Sequence, residues 1–276
     1  MKNVLLLLLS LVMIAPSVSG QKLQADEIIA KHLASIGTEE KRAALKSLIA
    51  VGDVQVDYVT QKNLSAAGRI IIGSEGKKLF YGIQTNANDY PQEKIIFDGS
   101  KTDVAMVRGG SRSILGNFLQ SNSKIVSQGI WGGILGTSWH LLAAAERGAK
   151  ISSSGTKKID GKEAYVLTIV PKGGSDVDVT MFFDASTFRH IRTEYNRISS
   201  SSIGATIDES ARQSENRLKV VEDFSDFQAF EGVMLPRRYR LQYSNSGTVT
   251  TEIVWTAKLN EFASNKLDPA TFKIAP

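Results

Sequence analysis

The sequence predicts a mainly β protein with a few helices: about ten strands, mostly antiparallel, in one curved sheet cupped around a helix or a cavity. Three observations carry that reading. From Val51 onward hydrophobicity alternates with a period of two, as in a strand with one buried face. Turn dipeptides separate the runs, among them Asp98–Gly99, Asp160–Gly161 and Glu231–Gly232, and these favour tight hairpins. No βαβ rhythm interrupts the series, so consecutive strands pair as antiparallel neighbours.

The chain opens on Lys2, an apolar run from Val4 to Ala15, then Pro16 and small residues to Gly20. This is the three-part pattern of a secretory signal peptide, and the run is too short to span a bilayer. Residues 1–20 are therefore expected to be removed, leaving a single domain over residues 21–276 that is exported to the periplasm. The chain has no cysteine, which excludes disulfides, thiolate chemistry, Cys-ligated metals and the cysteine-borne anchor of a bacterial lipoprotein. Removing Met1–Gly20 takes away one lysine and no acid, moving the formal net charge from +5 to +4. The charges are scattered, and an exported chain does not meet nucleic acid. A monomer with transient membrane contact is expected.

Ala25–Gly37 reads as a helix. Asp26 and Glu27 suit its positive end, Ile28, Ile29, Leu33 and Ile36 form one apolar stripe, and Gly37 ends it. Thr38 caps a second predicted helix through EEKRAALKSLI. Strands follow. GRIIIG and KKLFYGIQT flank Ser74–Lys77, EKIIF and KTDVAMV flank Asp98–Gly99, and AYVLTIV and VDVTMFF flank PKGGSD. FRHIRTEYNRI, RLKVVEDF, VMLPRRYRLQY and TVTTEIVWTAKL complete the series. Val177, Val179, Met181 and Phe183 share one face of their strand, with Phe182 on the other. Val249, Ile253, Trp255, Ala257 and Leu259 likewise share a face. Two stretches break the pattern: Arg108–Gly148, and the serine-rich Ser199–Glu215, which is expected to be a mobile loop.

No catalytic signature emerges. His32, His140 and His190 lack metal-ligand spacing, and each reads as a packing or surface histidine, with His190 on the same strand face as Arg192 and Glu194. There is no GxSxG elbow, and Gly129, Gly132, Gly133 and Gly136 precede no GK[ST]. No metal or other cofactor is expected. The acids of DESARQSE and VEDFSDF read as solvated, leaving a hydrolase of envelope lipids or glycans as a weak alternative. Arg237, Arg238 and Arg240 set against Tyr239, Leu241 and Tyr243 read as a strand with one wet face, with phosphate or lipid-headgroup contact as the alternative.

The stretch GIWGGILGTSWHLL, Gly129–Leu142, is too apolar for a surface loop and too glycine-rich for a core helix. Ile114, Leu115, Phe118 and Leu119 precede it at helical spacing; Ile130, Trp131, Ile134, Leu135 and Trp139 follow that spacing less neatly. Each glycine within a helix costs about 1 kcal/mol relative to alanine, so the element is short, bent or movable. A movable lid and a rigid core plug both stay open.

Taken together, EIIAKHLASIGTEEKRAALKSLIAVGDV, the GIWGGILGTSW insertion, IDGKEAYVLTIVPKGG, FFDASTFRHIRTEY, EDFSDFQAFEGVMLPRRY and LDPATFKI carry a resemblance. The chain resembles the outer-membrane lipoprotein-sorting-protein-like family, related in fold to the periplasmic lipoprotein carrier and to mycobacterial lipid-binding lipoproteins. The resemblance implies an unclosed antiparallel β-barrel of ten to eleven strands wrapped around helical lid or plug elements. It implies a cavity for lipid or for the acyl chains of a lipoprotein, and no catalysis. The residues expected to line it are Leu115, Phe118, Leu119, Ile130, Trp131, Ile134, Leu135 and Trp139, with Phe80, Phe182 and Trp255 from the sheet. The alternative from another class is a ligand-free interaction or sensor module that binds an envelope protein partner.

Overall fold

The structure is a computed structural model that describes residues 23–60, 64–88, 90, 92–107, 110–199, 216–246 and 250–273. The expected signal peptide, Arg108, Val249 and residues 200–215 of the expected mobile loop lie outside the described residues.

Two helices come first, α1 (Ala25–Ile36) and α2 (Glu39–Ala44). Glu27 accepts from the Gln24 amide at 2.8 Å, and Ile28, Ile29, His32 and Ile36 face inward. The Thr38 hydroxyl accepts from the Lys41 amide and starts α2. That helix stops at Ala44, well short of the expected Ile49. The reason is a distant side chain: Asn265 accepts from the Lys46 and Ser47 amides at 3.0 and 3.1 Å and donates to the Ala44 carbonyl at 3.1 Å. It caps the helix and launches the first strand with one amide group.

Twelve strands follow among the described residues. They are β1 (Ser47–Tyr58), β2 (Leu64–Glu75), β3 (Lys78–Thr85), β4 (Gln92–Phe97), β5 (Thr102–Val104), β6 (Lys150–Ile159), β7 (Lys162–Val170), β8 (Asp178–Asp184), β9 (His190–Ser199), β10 (Asn216–Phe230), β11 (Val233–Ser246) and β12 (Thr251–Ser264). The extra strand relative to the sequence is β6. KISSSGTKKI lies at the sheet edge and has no apolar alternation to announce it. All pairings are antiparallel, and the order is β5-β4-β3-β2-β1-β12-β11-β10-β9-β8-β7-β6. The edges β5 and β6 do not pair, so the sheet is an unclosed barrel with an inner and an outer face.

The inner face holds the main core. Leu48, Ala50, Val54 and Val56 of β1, Ile253, Trp255, Ala257 and Leu259 of β12, and Val179, Met181 and Phe183 of β8 belong to one apolar cluster. Phe182 points the other way. It packs with Ile159, Ala164 and Val166 in a small cluster on the outer face. A bulge between Phe182 and Phe183 sets His190 opposite Phe183 and Arg192 opposite Phe182. His190 therefore turns inward, and not to the face of Arg192 and Glu194 as the plain alternation predicts.

A second bulge, between Val51 and Gly52, bends β1 against β12. Gly52 sits so close to its neighbour that a Cβ would lie 2.0 Å from the Lys258 carbonyl oxygen. Gly73 has a softer neighbour, Leu267 Cδ1 at 3.1 Å. Gly52→Ala should therefore lower stability by roughly 2–4 kcal/mol, and Gly73→Ala by less than about 1 kcal/mol. Urea unfolding of both variants checks this; equal losses would refute the close-approach account of the bend.

Candidate functional site

The chain between β5 and β6 leaves the sheet and folds back across its inner face. It forms α3 (Ile114–Ser121), α4 (Ser123–Ser127), two 3-10 turns at Gly133–Leu135 and His140–Ala143, and α5 (Ala144–Arg147). Most of its apolar side chains are buried: Leu115, Phe118, Leu119, Ile130, Trp131, Ile134, Leu135 and Trp139 all join the main core, together with Trp255. The structure thus gathers nine of the eleven expected cavity residues in one cluster. The other two stand elsewhere. Phe182 is on the outer face, and Phe80 alternates with the core residues Leu79 and Tyr81, lining an outer-face depression of about 300 Å³ with Ile71 and Gly82.

Aromatic packing fixes the insertion. The Trp131 ring lies 5.6 Å from Tyr195 and 6.1 Å from Tyr81. Trp139 stacks on His190 at 5.1 Å and meets the edge of His32 at 4.8 Å. The glycines of the motif are explained by close approach. A Cβ on Gly129 would stand 1.8 Å from the Ser138 carbonyl oxygen, and one on Gly133 would stand 2.9 Å from the Phe224 ring. Both have positive φ, 68° and 53°, which glycine adopts without strain.

Polar ties join the insertion to inward side chains of the sheet at three places along its length, besides those of Lys124 and Gln128 to the loop after β7. At its start, Ser113 caps α3 by accepting from the Gly116 amide at 2.8 Å, and its hydroxyl donates to Glu93 of β4. Glu93 also accepts from Tyr90 at 2.7 Å, and Trp255 Nε1 donates to the Tyr90 hydroxyl at 3.2 Å. In the middle, the Gly132 amide donates to Glu222 of β10 at 3.0 Å. Tyr195 and Tyr239 donate to the same carboxylate at 2.6 and 2.7 Å. Further on, the Thr137 amide donates to the buried Ser74 hydroxyl at 2.8 Å.

Burial sets the electrostatics. It pushes the Glu222 carboxyl up to about 7, against the opposing pull of the tyrosine and Gly132 donors. It raises Glu93 as well, against Ser113 and Tyr90. It lowers His32 to about 4 and His190 well below the usual histidine range, so both rings pack neutral. His32 Nδ1 lies 2.7 Å from the Phe188 carbonyl, and His190 Nε2 lies 2.8 Å from the Thr193 hydroxyl.

Sequence reasoning missed both glutamates. The acids of VEDFSDF were expected to be solvated; Glu222 is fully buried, while Asp223 faces outward between Arg192 and Arg240. The signal was register. Leu218, Val220 and Phe224 are inward residues of β10, and Glu222 occupies the inward position between them. Glu93 stands in the same relation to Ile95 and Phe97 of β4. Among the described residues no three His, Asp or Glu groups gather as a metal site. Tyr239, Leu241 and Tyr243 are inward, and Arg238 and Arg240 lie on the wet face as expected.

No protein-family model and no curated protein matches the chain. Solved structures do. The chain is similar to a LolA superfamily protein from Nitrosomonas europaea, at 12% identity over 91% of this chain and 98% of that one, with a TM-score of 0.49. It is similar to a putative outer membrane lipoprotein-sorting protein domain from Vibrio parahaemolyticus, at 10% identity over 88% and 97%, TM-score 0.45. A DUF1329 family protein from Desulfovibrio piger aligns at 10% identity over 90% and 96%, TM-score 0.46.

The Glu222 carboxyl yields a pH signature. Its folded value of about 7 lies above the ordinary 4.5. Its contribution to stability is therefore present below about 4.5 and is lost as pH rises through about 7. His32, lowered to about 4, works in the opposite sense by losing stability as pH falls below 6.5, so the wild-type curve alone does not isolate either group. The difference between wild type and Glu222→Gln does. The variant should gain on wild type by a few kcal/mol between pH 4.5 and 8. Melting curves across that range check it; a difference that stays flat with pH would refute the raised carboxyl.

Proposed function

We propose that the protein is an exported, non-catalytic binding protein or carrier for a hydrophobic ligand, either a lipid or the acyl chains of a lipoprotein. One observation carries the proposal: the apolar inner face of the open sheet is covered by a glycine-rich insertion that is held to inward strand side chains at Ser113, Gly132 and Thr137 and to the loop after β7 by Lys124 and Gln128. Lifting that cover would expose Leu115, Phe118, Trp131, Leu135 and Trp139 toward the core residues of β3, β9, β11 and β12. Such a surface holds an acyl chain without catalytic groups, since each buried CH₂ contributes about 0.8 kcal/mol. The reading agrees with what the resemblance in the sequence implies, and the periplasm is the compartment that the N-terminal pattern suggests.

A second reading rests on the completeness of the packing. Trp131, Leu135 and Trp139 are at most 1% exposed, as in a permanent plug. The protein would then be a ligand-free module for an envelope protein partner.

A disulfide lock separates the two. The chain has no cysteine of its own. The Ser74 and Thr137 hydroxyl oxygens lie 3.2 Å apart, near enough for a Ser74→Cys/Thr137→Cys pair to reach the sulfur–sulfur distance of about 2.05 Å. Uptake of a fluorescent fatty acid should be lost, by at least about tenfold, in the oxidised pair and return on reduction. Equal uptake in both states would remove the lid. No uptake by wild type, with a bare mass in native mass spectrometry, would favour the plug and the protein partner.

A further inference from the structure

We infer that a cationic pocket beside the insertion binds the phosphate group of an anionic ligand. The pocket stands on its own geometry; the further step, that the phosphate belongs to an acyl lipid, rests on the carrier reading.

The pocket measures about 380 Å³, and Lys77, Gln128, Ala143, Glu146, Arg147 and Lys172 are among the residues that line it. Lys77 lies in the β2–β3 turn, Gln128 follows α4, Arg147 ends α5 and Lys172 lies in the loop after β7. Strands β2 and β3 stand toward one edge of the sheet and β7 toward the other, so the pocket bridges the side on which the barrel does not close. One residue sets two of the three cations. The Gln128 carbonyl accepts from Arg147 Nη1 at 2.7 Å. The Gln128 side chain accepts from the Lys172 amide at 2.9 Å and donates to the Lys172 carbonyl at 3.0 Å. His140 Nδ1 also lies 3.0 Å from the Gln128 carbonyl, and burial holds that ring below the ordinary histidine value, so it adds no fourth charge at neutral pH.

The charges of the pocket are not cancelled. Among the described residues ion pairs form at Arg69, Lys78, Arg192, Lys219 and Arg240, and none involves Lys77, Arg147 or Lys172. Glu146 is the acid that lines the pocket; set against three cations it leaves two positive charges in excess. Lys77 and Lys172 are exposed, but Arg147 is half-buried. Burial pulls its guanidinium below the ordinary value, while Glu146 opposes this. A guanidinium drawn partly out of water and given one neutral acceptor is costly unless an anion answers it. Its fork of donors and two flexible ammonium groups suit the oxygens of a phosphate. A phosphate monoester carries about −1.5 to −2 at pH 7, which matches the excess; a carboxylate supplies one charge. The walls indicate what the phosphate is attached to. Ala143 lines the pocket, and its neighbours Leu142 and Ala144 pack on the main core. A chain esterified to a phosphate held here would run toward the apolar face under the insertion.

The test is titration calorimetry on protein recovered from a bacterial periplasm and dialysed free of phosphate. The probes are inorganic phosphate, dihexanoyl phosphatidic acid and uncharged dihexanoylglycerol. Phosphatidic acid should bind saturably and more tightly than inorganic phosphate, and salt should weaken both. Arg147→Gln should weaken phosphatidic acid by about tenfold or more. That change also alters the bond to Gln128, so the exposed pair Lys77→Gln/Lys172→Gln gives a second reading and should weaken binding by about as much. Lys157→Gln/Lys158→Gln removes the same charge from exposed positions of β6 and should bind as wild type. Equal affinity for inorganic phosphate and phosphatidic acid would keep the anion site and assign it to free phosphate. No saturable binding of either, or an equal loss in the two lysine pairs, would overturn the inference. Dihexanoylglycerol separates the site from the carrier reading: phosphate binding without uptake of the uncharged lipid would count against the carrier alone, and uptake without phosphate binding against the pocket alone.

Discussion

A sheet of twelve strands that does not close must cover its inner face from within the same chain. Everything else follows from that constraint. The helix α1 brings Ile28, Ile29 and Ile36 to part of the face, and the insertion between β5 and β6 brings the rest. A regular helix pairs its own amides and carbonyls, but the insertion is irregular and sends backbone groups into the core. Each such group needs a partner there. Glu222 supplies one for the Gly132 amide, and Ser74 supplies one for Thr137. Glu222 and Ser74 are thus in the core as consequences of using an irregular cover.

A carboxyl in that role brings its own tension. Burial works against its charge, while the donors Tyr195, Tyr239 and Gly132 work for it. As a carboxylate it accepts from all of them. Once protonated it carries one O–H that must itself find an acceptor. A neighbour that donates must then give way or turn. The centre of the cover therefore rests on a group whose bonding pattern depends on pH, whereas Thr137 and Ser74 carry no charge. Glu93 places a second buried carboxyl at the head of the insertion, so the Ser113 and Gly132 ties share this property.

Much of the architecture was legible in local pattern. The period of two picked out strands with apolar inner faces, and the glycine-rich apolar stretch stood out as the piece that breaks the sheet. What the pattern could not carry was set by distant partners. Asn265 ends α2 at Ala44 from across the chain. The Phe182/Phe183 bulge turns His190 inward against the plain alternation. The strand β6, polar and at an edge, is held by its ladder with β7 and not by apolar burial. Phe80 is one of the expected cavity residues, yet its place beside inward Leu79 and Tyr81 sends it outward. Glu93 and Glu222 are hidden for the opposite reason: each is polar by type and inward only by register.

The two ends of the barrel differ in a way that bears on how the cover can move. At one end the Gly232 carbonyl, in the β10–β11 turn, would lie only 2.7 Å from a Cβ on Gly37, just past α1. His32 of α1 also bonds the Phe188 carbonyl and presses on Trp139. The Trp139 part of the insertion is therefore clamped between α1 and His190. The part that includes α3 and α4 lies away from that clamp, held at Glu93 and through Lys124, which donates to the Gly173 and Gly174 carbonyls at 2.7 and 3.0 Å. Between the two parts stand Gly132, Gly133 and Gly136, where the backbone turns most freely. An opening cover would swing α3 and α4 and draw Thr137 off Ser74, with Trp139 as its fixed end. That motion breaks the Ser113 and Lys124 ties and uncovers Phe118 and Tyr195 first.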